Sequence, residues 1–435
     1  MSVRPGDYVV VPFGSQELSG VVWGEGTGEV GHNRLKAIAG GFDAPPMPEV
    51  LRRFVDWVAG YTVSPPGSVL RLVIRAPGAL EPLRMRAAYR LGAARPARMT
   101  PARLRVVESA GDGSARTVRE LAQKAGVSDG VVRGLVDAGT LTPVDIPTER
   151  PFPDPDPGLA GVELSPDQAA AASVLRSHVE ARKFAAVLLD GVTGSGKTEV
   201  YFEAIATALA ADQTVLVLLP EIALSAQWLE RFQERFGVRP AEWHSDLSPG
   251  TRRRTWRAVA EDRVRIMVGA RSALHLPFRD LGLIVVDEEH DGSFKQEEGV
   301  IYHARDMAVL RAQIFECPIV LASATPSLET LANVEAGRYQ SLHLTDRHGT
   351  ASLPDIEIID LRKTPPPRQR WISPPLQDAL EETLARGEQA LLFLNRRGYA
   401  PLTLCRTCGH RIECPMCDAW LVEHRFGRRL ECHHC

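Results

Sequence analysis

Apolar residues in the middle of the chain form five short, nearly continuous runs, separated by longer stretches in which apolar positions recur at helical spacing. The runs occupy residues 185–189, 215–219, 265–268, 283–286 and 318–322. Runs of this length are typical of strands buried on both faces, and helices are the usual connections between parallel strands. The pattern therefore predicts a parallel α/β sheet covered by helices.

The first 145 residues follow two other patterns. Short Val-rich runs broken by glycine and proline predict a small β-rich module, with one amphipathic helix at 50–58. Farther along, apolar residues at 118–125 and 131–136 recur at helical spacing on either side of Gly126, which predicts a helix-turn-helix with a wing. The proline-rich stretch at 143–157 is typical of an interdomain linker.

Composition is that of a globular protein, since 44% of the 435 residues are hydrophobic and 24% are charged, with a formal net charge of -3. No apolar run approaches the ~18 residues that span a bilayer, and no apolar signal segment opens the chain, so we expect a cytoplasmic protein with no membrane partner. Nine arginines but only one acidic residue, Glu81, lie between 71 and 105. Such a stretch is expected to face nucleic-acid phosphate, with a merely solvated face as the alternative. The expected DNA contacts are Arg71, Arg75, Arg84, Arg86 and Arg98.

The sequence Gly191-Val-Thr-Gly-Ser-Gly-Lys-Thr198 predicts a phosphate-binding loop, because it follows a predicted strand and precedes a helical stretch. Backbone N–H groups would converge on phosphate oxygens at the helix N-terminus, Lys197 would reach the β- and γ-phosphates, and Thr198 would bind Mg²⁺. The predicted ATP contacts in this loop are Gly191, Thr193, Gly194, Ser195, Gly196, Lys197 and Thr198.

An acidic motif, Asp287-Glu-Glu-His290, follows the run at 283–286. Ligands of open α/β sheets bind at the carboxyl ends of the strands, which is where this motif is predicted to lie. Asp287 is predicted to hold Mg²⁺ and Glu288 to activate water as a general base. Lys197, Asp287 and Glu288 are therefore the predicted catalytic residues.

Two weaker signals flank these motifs. Gln168 offers an amide that suits the adenine edge, although a helix cap at Ser165 explains the same residues. Ser323 and Thr325 follow the run at 318–322, where their hydroxyls would sense the γ-phosphate.

Six of the seven cysteines form three C-x-x-C pairs near the C-terminal end of the sequence, which is a pattern of metal sites and not of a disulfide framework. Four of them have the spacing of a zinc ribbon and predict a structural, tetrahedral zinc site. These four are Cys414, Cys417, Cys432 and Cys435. Cys405 and Cys408 are further expected metal ligands that lack a partner pair.

Together the motifs resemble those of superfamily 2 helicases and, more specifically, of the PriA family of replication-restart helicases, the primosomal protein N-prime family. The resemblance extends over nearly the whole chain. It rests on Gly191-Val-Thr-Gly-Ser-Gly-Lys-Thr-Glu-Val-Tyr201, Leu219-Pro-Glu-Ile-Ala-Leu224, Gly269-Ala-Arg-Ser-Ala273, Asp287-Glu-Glu-His-Asp-Gly-Ser-Phe-Lys-Gln296, Tyr302-His-Ala-Arg-Asp306, Ser323-Ala-Thr-Pro-Ser327, Leu392-Phe-Leu-Asn-Arg-Arg-Gly-Tyr399 and the cysteines.

The resemblance implies an α/β multidomain architecture built around a RecA-like P-loop lobe. The expected domains begin with a β-rich 3′-DNA-end-binding domain at 1–97, a winged helix at 98–145 and a proline-rich linker at 146–162. The ATP-binding helicase lobe is expected at 163–362. A linker and the start of a second lobe, which includes a strand at 390–394, are expected at 363–400, followed by an incomplete zinc-binding region at 401–435.

The resemblance also implies an ATP-dependent 3′-to-5′ DNA helicase that recognises stalled or abandoned forks. Its implied partners are forked and single-stranded DNA, single-strand DNA-binding protein, which it remodels, and the primosome proteins and replicative helicase DnaB, which it helps to load. The implied cofactors are ATP, Mg²⁺ and Zn²⁺, with two zinc sites expected in the family, one complete and one half present in this sequence.

In the family, an aromatic-rich loop after the acidic motif couples DNA binding to ATP hydrolysis. The matching residues are Phe294, Lys295, Gln296 and Tyr302, which with Ser323 and Thr325 are the expected coupling residues. Aromatic rings stack on unpaired bases and cations meet phosphate, while packing of Phe294 and Tyr302 in the interior is the alternative.

The sequence departs from the family in two respects. The opening strand expected before Arg4 is missing, and no motifs of a second motor lobe, which supplies an arginine finger, follow residue 435. We therefore expect a fragment. The alternative function is a fork-binding scaffold that binds nucleotide without unwinding. A type I restriction-like translocase would share the motor but would not predict the cysteine cluster.

Overall fold

A computed structural model of the chain describes residues 2–26, 28, 31, 34–74, 76, 78–81, 85–147, 152–220, 226–345, 355–367, 370, 372–393, 410–417, 419–423, 430–432 and 435. The chain divides into two compact units, Met1–Thr350 and Ala351–Cys435. The first unit contains an N-terminal module, a winged helix and a motor lobe, in that order along the chain.

The N-terminal module combines a three-stranded antiparallel sheet with two helices. Its elements are β1 (Tyr8–Phe13), β2 (Gln16–Val21), β3 (Gly40–Gly41), α1 (Glu49–Tyr61) and α2 (Pro66–Val73). β1 is the central strand and pairs with β2 and β3. α1 is longer than the predicted segment 50–58, and its buried face has Leu51, Phe54, Val55 and Val58 at the spacing of an amphipathic helix.

The winged helix packs three helices against a two-stranded ribbon. Its elements are β4 (Met85–Leu91), α3 (Pro101–Ala110), α4 (Val118–Ala125), α5 (Asp129–Asp137) and β5 (Leu141–Pro147). α4 begins with a capping box between Thr117 and Glu120 and ends at Gly126, whose φ of 60° is left-handed, so the predicted helix-turn-helix is confirmed. β4 pairs with β5 in antiparallel register, so it belongs to this module, although the boundary predicted from sequence assigned it to the module before.

The motor lobe is a seven-stranded sheet whose neighbouring strands all pair in parallel. The strands of the sheet are β6 (Ala185–Gly191), β7 (Thr214–Leu218), β8 (Ala241–Trp243), β9 (Ile266–Gly269), β10 (Leu281–Asp287), β13 (Pro318–Ser323) and β14 (Gln340–Leu344). The helices are α6 (Pro166–Ala181), α7 (Lys197–Ala210), α8 (Ala226–Phe236), α9 (Pro249–Ala260), α10 (Ala304–Phe315) and α11 (Leu328–Glu335). A small hairpin, β11 (Lys295–Gln296) with β12 (Tyr302–His303), lies outside the sheet. The α/β prediction is thus confirmed.

Strand order determines which loops meet. The order is β14-β6-β13-β10-β7-β9-β8, so β13 lies between β6 and β10. Because parallel strands end at the same edge, the loop after β6, the acidic motif after β10 and Ser323 at the end of β13 are neighbours. The five apolar runs correspond to β6, β7, β9, β10 and β13, which are buried on both faces of the sheet.

The N-terminal module and the motor lobe share one hydrophobic core. The indole of Trp256, on α9, is fully buried and donates a hydrogen bond to the carbonyl oxygen of Val73 at 2.8 Å. Its ring meets the ring of Tyr8 edge-on, with centroids 5.8 Å apart. The buried guanidinium of Arg311, on α10, lies 5.5 Å from the ring centroid of Phe54, on α1. The two modules are therefore packed together as a single body and are not merely tethered.

The second unit contains α12 (Pro374–Ala385) and a ribbon of β15 (Val422–Glu423) with β16 (Leu430–Glu431). The strand predicted at 390–394 is not formed over its described residues 390–393. Leu391 and Phe393 there are 90% and 81% exposed, and an apolar run does not form a strand without a neighbouring strand to pair with. Within the described part of the chain, every helix is too short or too polar to cross a bilayer.

Replacement of Trp256 by alanine should destabilise both modules together. The change removes a buried indole that contacts both, and such truncations typically cost about 3–5 kcal/mol. Denaturant unfolding followed by circular dichroism should show one transition at lower denaturant. The matched control is Trp57→Ala, because Trp57 is 43% exposed and its loss should cost far less. Separate transitions for the two modules in the wild-type chain would contradict a shared core.

Candidate functional site

The loop between β6 and α7 has a backbone that requires glycine. Gly194 and Gly196 have φ values of 83° and 81°, in the left-handed region that disfavours side chains. A Cβ on Gly196 would lie 2.4 Å from the amide nitrogen of Gln168. The loop thus turns tightly into the N-terminus of α7, where free N–H groups can receive an anion.

Lys197, the first residue of α7, lies beneath this loop. It is 8% exposed, and its ammonium group donates a hydrogen bond to the carbonyl oxygen of Gly191 at 2.7 Å. Burial lowers the pKa of Lys197, while the carboxylates of Glu288 and Asp287 act in the opposite direction. The predicted catalytic residues are therefore brought into one electrostatic environment.

Asp287 ends β10 and is held by a hydrogen-bonded chain that the sequence analysis did not find. The Tyr201 hydroxyl donates to the Asp287 carboxylate at 2.8 Å, and the Trp228 indole donates to the Tyr201 oxygen at 2.8 Å. Burial raises the pKa of Asp287, and the bond from Tyr201 opposes that rise. Tyr201 lies one helical turn after Lys197, so its i, i+4 spacing was the available signal.

Glu288 occupies a strained position beside Asp287. Its φ of 49° is left-handed, which is uncommon for a residue with a side chain. The Glu288 carboxylate lies 3.6 Å from the His290 ring nitrogen. Strain of this kind is concentrated at functional sites, where the surrounding structure maintains it.

These side chains line a cleft of about 370 Å³ at the carboxyl edge of the sheet. Of the predicted nucleotide contacts, the cleft is lined by Gln168, Thr193, Gly194, Gly196, Lys197, Thr198, Asp287 and Glu288. Gly191 and Ser195 are buried and do not line the cleft. Arg231, on α8, also lines the cleft and pairs with Glu199 at 2.5 Å.

The Gln168 amide is engaged with the protein. Its oxygen accepts the Ser165 backbone N–H at 2.9 Å in a capping box, and its nitrogen donates to the Ser195 carbonyl oxygen at 2.9 Å. The helix cap considered as the alternative is therefore present. Gln168 supports the phosphate loop from behind, and these bonds use one of its two amide protons.

Ser323 is linked to the acidic motif through His290. The hydroxyl of Ser323 lies 2.7 Å from Nδ1 of His290 and accepts the backbone N–H of Thr325 at 3.1 Å. Ser323 is fully buried, whereas Thr325 is exposed. The contact exists because β10 and β13 are adjacent strands.

The aromatic residues after the acidic motif lie in the interior. Phe294 and Tyr302 are 1% and 4% exposed, and the Tyr302 ring meets His275 edge-on at 5.2 Å. The expected base stacking by these rings is not supported by this arrangement, because apolar ring surface is more stable in the core than in water. Gln296 is also buried, and Lys295 is the exposed member of the set.

A groove of about 750 Å³ separates α2 from the β11–β12 hairpin. It is lined by Arg71 on α2, by Lys295 on the hairpin and by Arg271, which donates to the carbonyl oxygens of Ser293 and Lys295 at 3.0 and 2.6 Å. Glu297 and Glu298 line it as well. Two predicted DNA contacts, Arg75 and Arg84, lie outside the described residues.

The two remaining predicted DNA contacts lie near the winged helix. Arg98 is exposed, and Arg86 is half-buried and pairs with Glu120 at 3.1 Å. The structure therefore brings Arg71 together with Lys295 but does not bring Arg86 or Arg98 into the same groove.

The four cysteines of the predicted zinc ribbon converge. The sulfurs of Cys414, Cys417, Cys432 and Cys435 all lie within 4.8 Å of one another. A tetrahedral zinc with Zn–S bonds of about 2.3 Å places its sulfurs about 3.8 Å apart, so the set fits zinc. Hydrogen bonding to the Cys414 sulfur, and then to the sulfurs of Cys432 and Cys417, stabilises the protonated thiol of Cys435 and raises its pKa to about 12. Cys405 and Cys408 lie outside the described residues.

Comparison with family models assigns three segments of the chain. Residues 165–334 match the DEAD/DEAH box helicase model, residues 1–75 match the 3′ DNA-binding domain of PriA, and residues 414–435 match the Cys-rich region of the PriA DNA helicase.

Curated relatives match along nearly the full chain. The chain is 38% identical over 432 residues to the replication restart protein PriA of Rickettsia felis, covering 99% of this chain and 56% of that protein. It is 40% identical over 351 residues to PriA of Bacillus subtilis, covering 79% of this chain and 43% of that protein. The chain thus spans about half the length of these relatives.

Among solved structures, the chain matches RecG bound to a three-way DNA junction with 20% identity. The match covers 44% of this chain and 25% of the RecG chain. Its TM-score of 0.34 is too low to bear on the fold. Family membership rests instead on the two PriA-specific family models and on the long matches to curated PriA proteins. The chain belongs to the PriA family of replication restart proteins.

Proposed function

We propose that this protein is the ATP-binding and DNA-binding part of a 3′-to-5′ DNA helicase that acts in replication restart. The observation that supports this most strongly is the cleft of about 370 Å³ lined by Lys197, Thr198, Asp287 and Glu288. A phosphate loop facing an acidic strand end is the arrangement by which P-loop motors hold and hydrolyse a nucleoside triphosphate.

In this proposal each cleft residue has a separate role. The N–H groups at the start of α7 and the Lys197 ammonium receive the β- and γ-phosphates of ATP. Asp287 and Thr198 hold Mg²⁺, which suits their oxygen donors and neutralises phosphate charge when bound. Glu288 accepts a proton from the attacking water. The buried Tyr201–Asp287 bond orients the Asp287 carboxylate toward the cleft.

DNA binding is supported by the groove of about 750 Å³ between α2 and the hairpin. Arg71, Arg271 and Lys295 supply charge for phosphates without reading sequence, as a helicase requires. Arg271 also lines a neighbouring cleft of about 190 Å³ with Trp243 and Arg252, so the basic surface continues along the carboxyl edge of the sheet. We propose that single-stranded DNA follows this surface and that Lys295 links it to the nucleotide cleft.

Partners of the whole protein are proposed from family membership. As a PriA-family member, the protein would recognise stalled or abandoned forks, remodel single-strand DNA-binding protein and help to load the replicative helicase DnaB with other primosome proteins. These steps take place in the bacterial cytoplasm.

Zinc is proposed as the ligand of Cys414, Cys417, Cys432 and Cys435. Four soft thiolates leave no open position for water, so the proposed zinc would be structural. It would stabilise the short β15–β16 ribbon. A second zinc site is proposed from family membership, with Cys405 and Cys408 among its ligands.

Two substitutions in the cleft should separate ATP binding from hydrolysis. Lys197→Ala should abolish both binding and turnover, whereas Glu288→Gln should retain binding and lower DNA-stimulated turnover by about 10²-fold or more, since it removes only the base. The measurements are binding of a fluorescent ATP analogue and phosphate release with single-stranded DNA. Fork binding without turnover by the wild-type chain would support a scaffold instead.

Tyr201→Phe should weaken binding of Mg²⁺. Without the bond from Tyr201 the pKa of Asp287 rises further, so a larger fraction is protonated and cannot hold the cation. The Mg²⁺ concentration for half-maximal binding of the fluorescent analogue should rise about fivefold, as expected for a hydrogen bond worth about 1 kcal/mol.

Because the defect in Tyr201→Phe arises from protonation, it should shrink as the pH is raised and grow as it is lowered. Tyr89→Phe, in the winged helix, is the matched control. A defect in Mg²⁺ binding that is as large at high pH as at low pH would argue against the role assigned to Asp287.

Cys417→Ser should lower the zinc content of the purified chain by about one equivalent, because three remaining thiolates bind zinc less tightly. Elemental analysis by mass spectrometry measures the loss. Cys317→Ser makes the same change at a buried cysteine on the motor lobe, outside the zinc site, and should leave zinc content unchanged. Equal zinc in wild type and Cys417→Ser would rule out this ligand set.

A further inference from the structure

Glu289, the third residue of the acidic motif, turns away from the nucleotide cleft into the protein. Its side chain is fully buried, and its backbone N–H donates to the carbonyl oxygen of Ala322, at the end of β13. The carboxylate accepts hydrogen bonds from the backbone N–H of Ser327 at 2.7 Å and from the hydroxyls of Ser327 and Thr330 at 3.0 and 2.9 Å. Glu289 therefore fixes the start of α11 to the acidic motif.

The positive partner of Glu289 is Arg305. The Arg305 guanidinium donates to the Glu289 carboxylate at 3.2 Å, to the Ser327 hydroxyl at 2.5 Å and to the Asp306 carboxylate at 2.8 Å. Arg305 is 5% exposed. A buried carboxylate that loses its cation is strongly destabilised, so Arg305 and Glu289 are expected to move together.

Arg305 also follows the β11–β12 hairpin closely in the chain. It is the second residue of α10, and α10 follows β12 directly in the chain. β12 pairs with β11, in which Lys295 stands opposite His303. Lys295 pairs with His303, and Arg305 follows His303 by two residues. A bound phosphate that displaces Lys295 can therefore displace Arg305 through this short path.

We propose that Arg305 and Glu289 are positioning residues that transmit DNA occupancy of the groove between α2 and the hairpin to Glu288 and Ser323. Glu288, whose backbone is strained, is the residue before Glu289. Ser327, which donates to the Glu289 carboxylate, follows Ser323 by four residues. A shift of the Arg305–Glu289 ion pair therefore alters both sides of the cleft. Phe294 and Tyr302 serve as the buried base of the hairpin, not as stacking platforms. This inference rests on the proposed ATPase function and names the link between its two sites.

The test compares two buried arginines on the same helix. Arg305→Met removes the proposed link, while Arg311→Met removes a fully buried guanidinium that donates to the carbonyl oxygen of Leu276 at 2.6 Å. Both variants should lower the melting temperature. Only Arg305→Met should reduce the stimulation of ATP hydrolysis by single-stranded DNA, by about tenfold, with affinities for DNA alone and nucleotide alone changed by no more than about threefold.

Arg305→Lys, which keeps the charge, should restore part of the stimulation, and Glu289→Gln should reproduce the loss. If Arg305→Met does not fold, these two milder variants carry the comparison. The inference is overturned if Arg305→Met retains full stimulation, if Arg311→Met loses as much, or if the loss follows weaker DNA binding.

A second measurement separates failure of this inference from failure of the proposed function. Single-stranded DNA should change the affinity of the wild-type chain for a nonhydrolysable ATP analogue by about fivefold or more, and this effect should be absent in Arg305→Met. If the wild-type chain does not hydrolyse ATP, the ATPase proposal is contradicted. The effect of single-stranded DNA on affinity for the ATP analogue still tests the role of the Arg305–Glu289 ion pair. No linkage in the wild type, or the same linkage in Arg305→Met, would refute the inference.

Discussion

Parallel pairing of β6, β13 and β10 is the constraint on which the candidate site depends. Each strand delivers its following loop to the same edge of the sheet, and the order of the three strands places Ser323 between the phosphate loop and the acidic motif. The hydrogen bond between His290 and Ser323 is a direct result of that order. Neither loop is long, so small changes in strand register would separate the groups that must act together.

Buried hydrogen bonds support the cleft from two sides. Trp228 reaches Asp287 through Tyr201, so α8 supports the strand end from one side. On the opposite side, Glu289 ties the motif to α10 and α11 through buried polar contacts. Buried networks in which every group has a partner hold side chains in one arrangement, which is what a site for metal-assisted phosphate chemistry needs.

Sequence reasoning recovered the parts of this protein that depend on local pattern. The buried strands, the phosphate loop and the helix-turn-helix each follow from residue spacing, and the four zinc-ribbon cysteines follow from their pairing along the chain. Contacts between distant residues could not be recovered, because no local pattern encodes them. The Arg305–Glu289 pair joins residues on different elements. The prediction that Phe294 and Tyr302 stack on bases failed because the sequence does not show which surface of the hairpin faces the core.

The shared core of the N-terminal module and the motor lobe has a consequence for synthesis of the protein. Trp256 completes the packing around Val73, 183 residues earlier in the chain. At about 5–20 residues per second, ribosomes need roughly 10 to 40 seconds to make that distance. During this interval the apolar surface of Val73 and Tyr8 has no Trp256 to cover it, and the nascent module is open to aggregation or to chaperone capture. Translation speed across the motor lobe therefore bears directly on the yield of folded protein.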